Sequence, residues 1–310
     1  MKKHLFLSLP HHSNSSPAKG RCPKGGGVSP FTFFVVLAVS LLAGCNHETK
    51  TEAEGQMPEF ETTTLSGERC LVVTGGWLLD ASEVRNSYSV VWPAEGLLSP
   101  AAMRELMYLY FADSTSANFE EAADRWLDDV EYLVGDDGDC KVQKVESIDT
   151  TDEGGYTYFH LESSCTTDSA LAVFLVRTST YNEGAAHGLY SCDYLTVDRE
   201  TGNVVHLADL VTDTNLLCEA IAHAIQDLEV NKETRECLFD EFRNADRMPM
   251  PGGFFVDSAR NGINVLYGLY HITPYACGIQ TVVLPIFWLS KHVSLTPYAK
   301  RLFGPGSYID

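Results

Sequence analysis

The stretch Tyr181–Val211 constrains the fold more than any other part of the chain. It reads as a strand end, a glycine-rich corner bearing one histidine, an alternating strand, a tight turn and a returning strand. Along Ser191–Val197, Cys192, Tyr194 and Thr196 fall on one face, and Asp193, Leu195 and Val197 on the other. Such period-two alternation marks a strand with two different surroundings. Asp198-Arg199-Glu200-Thr201-Gly202 carries the turn residues that reverse the chain. Val204-Val205-His206-Leu207 is expected to return as a strand, with Ala208-Asp209-Leu210 leading towards a helix.

The flanking segments agree. Leu71–Thr74 and Tyr88–Trp92 read as strands. Ser99 and Pro100 then open a helix as cap and first helical residue. A second helix is expected over Asn118–Val134, with Phe119, Ala122, Ala123, Trp126, Leu127, Val130, Leu133 and Val134 on its apolar side. Cys140–Asp149, Tyr156–Ser164 and Ala170–Tyr181 read as three successive antiparallel strands, with Thr150–Gly155 turning between the first two. Downstream, helices are expected over Thr214–Glu229 and Lys232–Phe242. Strands follow over Phe254–Asp257, Ile263–Tyr270 and Gln280–Pro285, with Asn261-Gly262 as a hairpin turn. Long βαβ alternation is absent. The fold class expected is α+β: an antiparallel sheet with helices packed mainly on one face, in two sequential subdomains.

The N-terminus carries a different message. Met1–Pro30 is basic, Phe31–Ala43 is apolar, and the run ends Leu41-Leu42-Ala43-Gly44-Cys45. This is the pattern of a bacterial lipoprotein signal over residues 1–44, with Cys45 as the lipidated residue. Residues 45–68 are polar and acidic and read as a flexible tether. The expected location is the cell envelope, anchored through the lipid on Cys45 at the periplasmic face or the outer surface of the outer membrane. The first 44 residues hold Lys2, Lys3, Lys19, Arg21 and Lys24 and no acid, so the rest of the chain is more acidic than the formal net charge of −20. A nucleic-acid partner is excluded by that balance, because phosphates demand cations. A basic partner is favoured.

Motif chemistry narrows the field further. No G-x-S-x-G, H-E-x-x-H or phosphate-loop pattern is present, so neither a cofactor nor a metal site is expected. Gly135-Asp136-Asp137-Gly138-Asp139 reads as a solvated acidic turn rather than a calcium loop. Cys70, Cys140, Cys165, Cys192, Cys218, Cys237 and Cys277 are available for disulfides in an exported chain. Their connectivity stays open, a Cys218–Cys237 pair being one conceivable choice. His187 sits among small residues at the corner. Its ring either faces a ligand or pins the corner by bonding a backbone carbonyl. Tyr267, Tyr270, Tyr275 and Trp288, with Phe254 and Phe255, give the C-terminal part an aromatic character suited to a core or to a binding cleft.

Two motifs carry a family resemblance. Gly184-Ala185-Ala186-His187-Gly188, then Asp198-Arg199-Glu200-Thr201-Gly202-Asn203 and Leu207-Ala208-Asp209-Leu210, form the first. Tyr267-Gly268-Leu269-Tyr270-His271-Ile272-Thr273-Pro274-Tyr275-Ala276-Cys277-Gly278 forms the second. Together they resemble the extracellular domain family shared by the anti-sigma factor RsiV and the N-terminal part of the peptidoglycan deacetylase PdaC. The chain departs from that pattern at Ala185, which replaces a glycine, and at His271, which replaces an acid. The resemblance implies a PdaC N-terminal-like subdomain over 69–190, an RsiV C-terminal-like subdomain over 191–303 and a tail over 304–310. It implies structural roles for Gly184, Gly188, Asp198, Gly202, Pro274 and Gly278. The ligand-facing residues expected are His187, Tyr270, His271 and Tyr275. The function implied is an extracytoplasmic binding module for a basic protein such as lysozyme. A cell-wall glycan, as peptidoglycan, is the alternative ligand. A hydrolase using His187 with Asp193 or Asp209 is the third reading. The deacetylase activity of PdaC lies outside the resembling part and is not carried over.

Overall fold

A computed structural model describes residues 59–75, 81–130, 140–149, 155–257, 259 and 261–308. The signal segment 1–44, Cys45, most of the tether, the turn Gly135–Asp139 and most of the turn Thr150–Gly155 lie outside the described residues.

The protein is α+β, mostly sheet with helices on one side. Strands β1 (Thr62–Gly75), β2 (Ser82–Pro93), β3 (Cys140–Val145), β4 (Thr157–Thr167), β5 (Leu171–Tyr181) and β6 (Leu189–Asp198) form one sheet in the order β3-β1-β2-β4-β5-β6. Strands β7 (Gly253–Val256), β8 (Gly262–Tyr267) and β9 (Gln280–Pro285) form a second, antiparallel sheet. The first sheet is mixed rather than purely antiparallel, because β2 pairs with β4 in parallel. A parallel pair needs a long crossover. Here it consists of helices α1 (Pro100–Phe111) and α2 (Phe119–Leu127) followed by β3, which pairs antiparallel with β1 at the far edge. Cys140–Val145 is therefore not the first of three successive hairpin strands. Its exposed lysines and glutamine suit an edge position.

Strand β1 begins inside the stretch assigned to the tether. Thr62–Gly67 pair with Pro93–Tyr88 of β2. Their burial alternates only weakly, since this end of the hairpin lies largely in solvent. Threonine favours strands without adding apolar character. Gly67 lies opposite Tyr88, and a Cβ on it would come within 2.6 Å of the tyrosine ring. The ring instead meets Phe111, Phe119 and Trp126 edge-on at 5.7–6.4 Å.

Helix α1 starts as its sequence dictates, with Ser99 Oγ accepting from Ala102 N at 3.2 Å and Pro100 in the first turn. Helix α2 is capped by Asn118 and stops at Leu127, short of the expected Val134. The buried Asn86 of β2 donates to the carbonyls of Leu127 and Asp129, which satisfies the end of the helix. Both helices cover the sheet face that carries Val90, Leu161, Ala172, Phe174, Val176, Leu195 and Val197.

A second core forms around α4 (Thr214–Asp227), which follows the single turn α3 (Leu207–Leu210). Leu217, Ile221 and Ile225 of α4 pack with Ile263, Val265, Val282 and Leu284 of the second sheet. The expected Lys232–Phe242 helix is divided into α5 (Lys232–Cys237) and a 3-10 turn at Asp240–Phe242. Two short helices, α6 (Ile286–Leu289) and α7 (Pro297–Phe303), finish the core. The boundary expected at residue 190/191 falls inside β6, which stays in the first sheet. Residues 55–310 form one compact unit, so the two cores are halves of one body. The returning strand expected at Val204–Leu207 is reduced to one bridge, Val197–Val204, before α3 begins.

Cys237 bonds to Cys277, with Cα atoms 6.1 Å apart. Cys218 is a buried free thiol in the α4 core, so the conceivable Cys218–Cys237 pair is not made. No helix among the described residues is long and apolar enough to cross a membrane.

Candidate functional site

The Asp198–Asn203 turn fixes the end of β6 against two helices. Asp198 Oδ1 accepts from Glu200 N and Thr201 N at 3.0 and 2.9 Å, and Oδ2 accepts from Tyr298 Oη of α7 at 2.8 Å. Gly202 has φ 67° and its carbonyl receives Ser99 N at 2.8 Å. A Cβ there would lie 2.9 Å from Leu97 O, so the tight approach to the start of α1 requires glycine. Asp198 and Gly202 thus tie β6 to α1 and α7.

At the other end of β6 the histidine corner meets the second motif. The corner after β5 carries Gly184 at φ 76°. Gly188 approaches Thr180 O so closely that a Cβ would lie 2.7 Å from it. The Gly188 carbonyl then receives two donors, Tyr275 Oη at 2.8 Å and His187 Nδ1 at 3.0 Å. The Nδ1 hydrogen bond assigns the proton to that nitrogen in the neutral ring. His187 also stacks on Tyr275, with centroids 4.1 Å apart and planes 25° from parallel. The two motifs therefore close on one another across 87 positions of sequence.

Around this contact lies an exposed aromatic cluster. Tyr190 meets Tyr275 edge-on at 6.1 Å, and Tyr270 lies 5.9 Å from it. Tyr190 is 41% exposed and Tyr270 44%, while His187 is exposed and Tyr275 half-buried. Tyr270 holds φ 62°, an unusual left-handed conformation for a tyrosine, which turns its ring outward. Pro274 precedes the 3-10 turn Tyr275–Cys277 and Gly278, at φ 71°, follows it. A Cβ on Gly278 would come within 3.0 Å of Tyr190 Oη. Three of the four ligand-facing candidates, His187, Tyr270 and Tyr275, thus come together. His271 does not join them. Its ring packs edge-on against the buried Tyr267 at 5.2 Å, and burial lowers its pKa. Tyr190 was not among the candidates, although the alternation of Tyr190, Cys192 and Tyr194 places it on the same face as they are.

Neither proposed carboxylate partner reaches the histidine. Among the described residues, no hydrogen bond or ion pair joins His187 to Asp193 or Asp209. Asp209 accepts from His206 N at 2.8 Å in the first turn of α3. Asp193 points to the opposite face of β6, where burial raises its pKa and a hydrogen bond from Ser191 only partly offsets that. A raised folded-state pKa means that the charged carboxylate costs stability at neutral pH. Stability is regained as pH falls through the raised value. Asp193→Asn is therefore expected to melt above the parent at neutral pH. The gap should close as the solution is acidified and vanish below the ordinary carboxylate range. Calorimetry over that range checks it, and a lower melting temperature at neutral pH would contradict it.

A cleft of about 410 Å³ opens beside the aromatic cluster. It lies between the outer face of β4–β6 and the β8–β9 end of the second sheet, lined by His160, Glu162, Arg177, Tyr190, Cys192 and Thr281 among others. No group of three or more His, Cys, Asp or Glu side chains able to hold a metal occurs among the described residues.

No family model matches the chain, and no curated protein matches it. Two solved structures of DUF3298 family proteins are similar to it. One, from Bacteroides fragilis, is 16% identical with a TM-score of 0.53, and the match covers 78% of this chain and 96% of that one. The other, from Pseudomonas aeruginosa, is 14% identical with a TM-score of 0.49, over 79% and 98% of the two chains. The first likeness is one of fold. The chain shares the fold of a DUF3298 protein, the domain found with the RsiV/PdaC-type families.

Proposed function

We propose that the chain is a lipid-anchored, extracytoplasmic binding module that recognises a basic protein such as lysozyme through the cluster His187, Tyr190, Tyr270 and Tyr275. The observation that supports this reading most is the meeting of the two motifs in an exposed aromatic patch held by the double hydrogen bond on Gly188 O. Tyrosines that stay exposed on a rigid backbone are favoured anchors of protein interfaces, because they bury large area at little entropic cost. The formal net charge of −20 supplies long-range attraction for a cationic partner. The resemblance to RsiV points to the same class of ligand.

The test is a titration of the full-length protein in detergent with lysozyme at low and high salt. Saturable binding that weakens with salt is expected. Tyr270→Ala and His187→Ala should each weaken it by about tenfold or more if they lie at the centre of the interface. Affinity unchanged in both variants would remove the cluster from the interface. Binding to purified peptidoglycan with none to lysozyme would replace the basic-protein reading with the wall-glycan one.

A further inference from the structure

The cleft between the two sheets is a second site, which adjoins the aromatic protein-binding patch at Tyr190, and we infer that it takes a saccharide. Its floor is written by strand register. His160, Ser179 and Tyr190 are paired across β4, β5 and β6, and Glu162, Arg177 and Cys192 form the next row on the same face. Neighbouring strands lie ~4.8 Å apart and same-face rows ~6.8 Å apart. The six side chains therefore form a grid of roughly 10 by 7 Å, the footprint of one or two pyranose rings.

The opposite face of these strands is the apolar one under α1 and α2. Among the described residues that line the cleft, none belongs to a helix. The cleft is walled instead by Leu266, Ile279 and Thr281 of the second sheet and its approach, which turns a flat polar surface into a concave one. Tyr194 stacks on Phe255 of β7 with centroids 4.5 Å apart, which fixes that wall against the floor. The volume lies within the range of about 300–1,000 Å³ usual for small-molecule sites. Most such sites are apolar with a few polar groups. This one adds charged and polar side chains, Glu162, Arg177 and His160 among them, to its apolar lining, which suits a ligand with an apolar ring face and a rim of hydroxyls.

The polar groups are poised rather than consumed. Arg177 Nη1 and Glu162 Oε1 stand 3.6 Å apart, beyond a good hydrogen bond, and both side chains are about half exposed. Such a pair contributes little to the fold and yields readily to a ligand. A guanidinium beside a carboxylate offers donors next to acceptors, which matches adjacent sugar hydroxyls that both donate and accept. His160 is preset by Ser87, whose Oγ lies 2.9 Å from its Nδ1. The Tyr190 ring at the rim supplies an aromatic surface for the C–H face of a sugar.

Cys192 on the floor is a built-in reporter, a half-buried free thiol. The experiment measures saccharide binding to the full-length protein by calorimetry, with cellobiose and N,N′-diacetylchitobiose as probes. In parallel, the alkylation rate of Cys192 is read by peptide mass spectrometry with and without each sugar. At least one sugar is expected to bind saturably and to slow Cys192 alkylation, leaving Cys140 and Cys165 unaffected. Arg177→Ala and the near-isosteric Glu162→Gln should each weaken that binding by about tenfold or more, since each removes charge-assisted hydrogen bonds. Lysozyme affinity in these two variants should stay at the parent value, which separates this site from the protein-binding patch. Absence of protection of Cys192 by either sugar would overturn the inference. So would sugar binding that neither variant weakens.

Discussion

Asn231→Ala is expected to destabilise the protein by about 3–5 kcal/mol, a large fraction of the stability of a typical domain. Asn231 is 1% exposed and lies at the junction of α4, α5 and the outer edge of β9. Strand β9 pairs with β8 on one side only. On the other side the Asn231 amide acts as the missing strand. Its Nδ2 donates to Val283 O and Ala224 O, both at 3.0 Å, and its Oδ1 accepts from Val283 N at 2.9 Å. Alanine leaves both backbone groups of Val283 without this partner in a partly buried place, and each such loss costs about 1–3 kcal/mol. The Ala224 carbonyl suffers less, because it also receives Leu228 N at 3.1 Å. Denaturant unfolding with an unchanged slope and a lowered midpoint is the expected record. Asn203→Ala, at an exposed turn, is the control, expected within about 0.5 kcal/mol of the parent. A midpoint for Asn231→Ala as close to the parent as that control would show that water replaces the amide at no cost.

Nothing in the sequence distinguishes Asn231 from the other asparagines, and the reason is general. Its role depends on which strand edge is left bare, and that is settled by the order of strands in space. The same limit explains the other departures. Ser99 and Pro100 start α1 as read, and β9 has the expected limits of Gln280–Pro285, because caps and bounded apolar runs are local signals. The pairing of β3 with β1, and the parallel pairing of β2 with β4, leave no local mark. The first half of β1 reads as tether because Thr62–Ser66 has little apolar periodicity. Pairing with β2 and the partly buried Leu65 hold it there, without an alternating buried face to announce it.

The site divides in the same way. His187 and Tyr275 were legible because glycine and proline around them mark backbone that must turn sharply. Their contact was not, since it depends on how the two sheets meet. His271 shows the hazard of reading neighbours together. Tyr270 and His271 are adjacent, yet the left-handed turn at Tyr270 sends one ring outward and leaves the other against Tyr267. Glu162 and Arg177 look like ordinary surface charges until the register brings them opposite each other.

Breaking the Cys237–Cys277 bond is the other large effect expected, and it acts on stability and on the site together. Its two ends are 40 positions apart, and closing a loop of that size removes about 4 kcal/mol of chain entropy from the unfolded state. For a chain of this size the melting temperature should fall by roughly 8–16 °C in the Cys237→Ser, Cys277→Ser double variant. The local consequence follows from where the bond sits. Cys277 ends the 3-10 turn that begins at Tyr275, and Cys237 ends α5. The disulfide therefore anchors the turn that presents Tyr275 to Gly188 and His187. Other bonds share the load: Gln280 Nε2 donates to Cys277 O at 2.6 Å, and Phe239 N to Ile272 O at 3.0 Å. With these intact, the turn should persist in the variant but with its tyrosine less fixed. Lysozyme affinity should then fall less than it does in Tyr270→Ala, while the melting temperature falls far more. A melting temperature equal to the parent's would mean that losing the cross-link costs the folded state nothing relative to the unfolded chain. That outcome would leave the disulfide without a stabilising role.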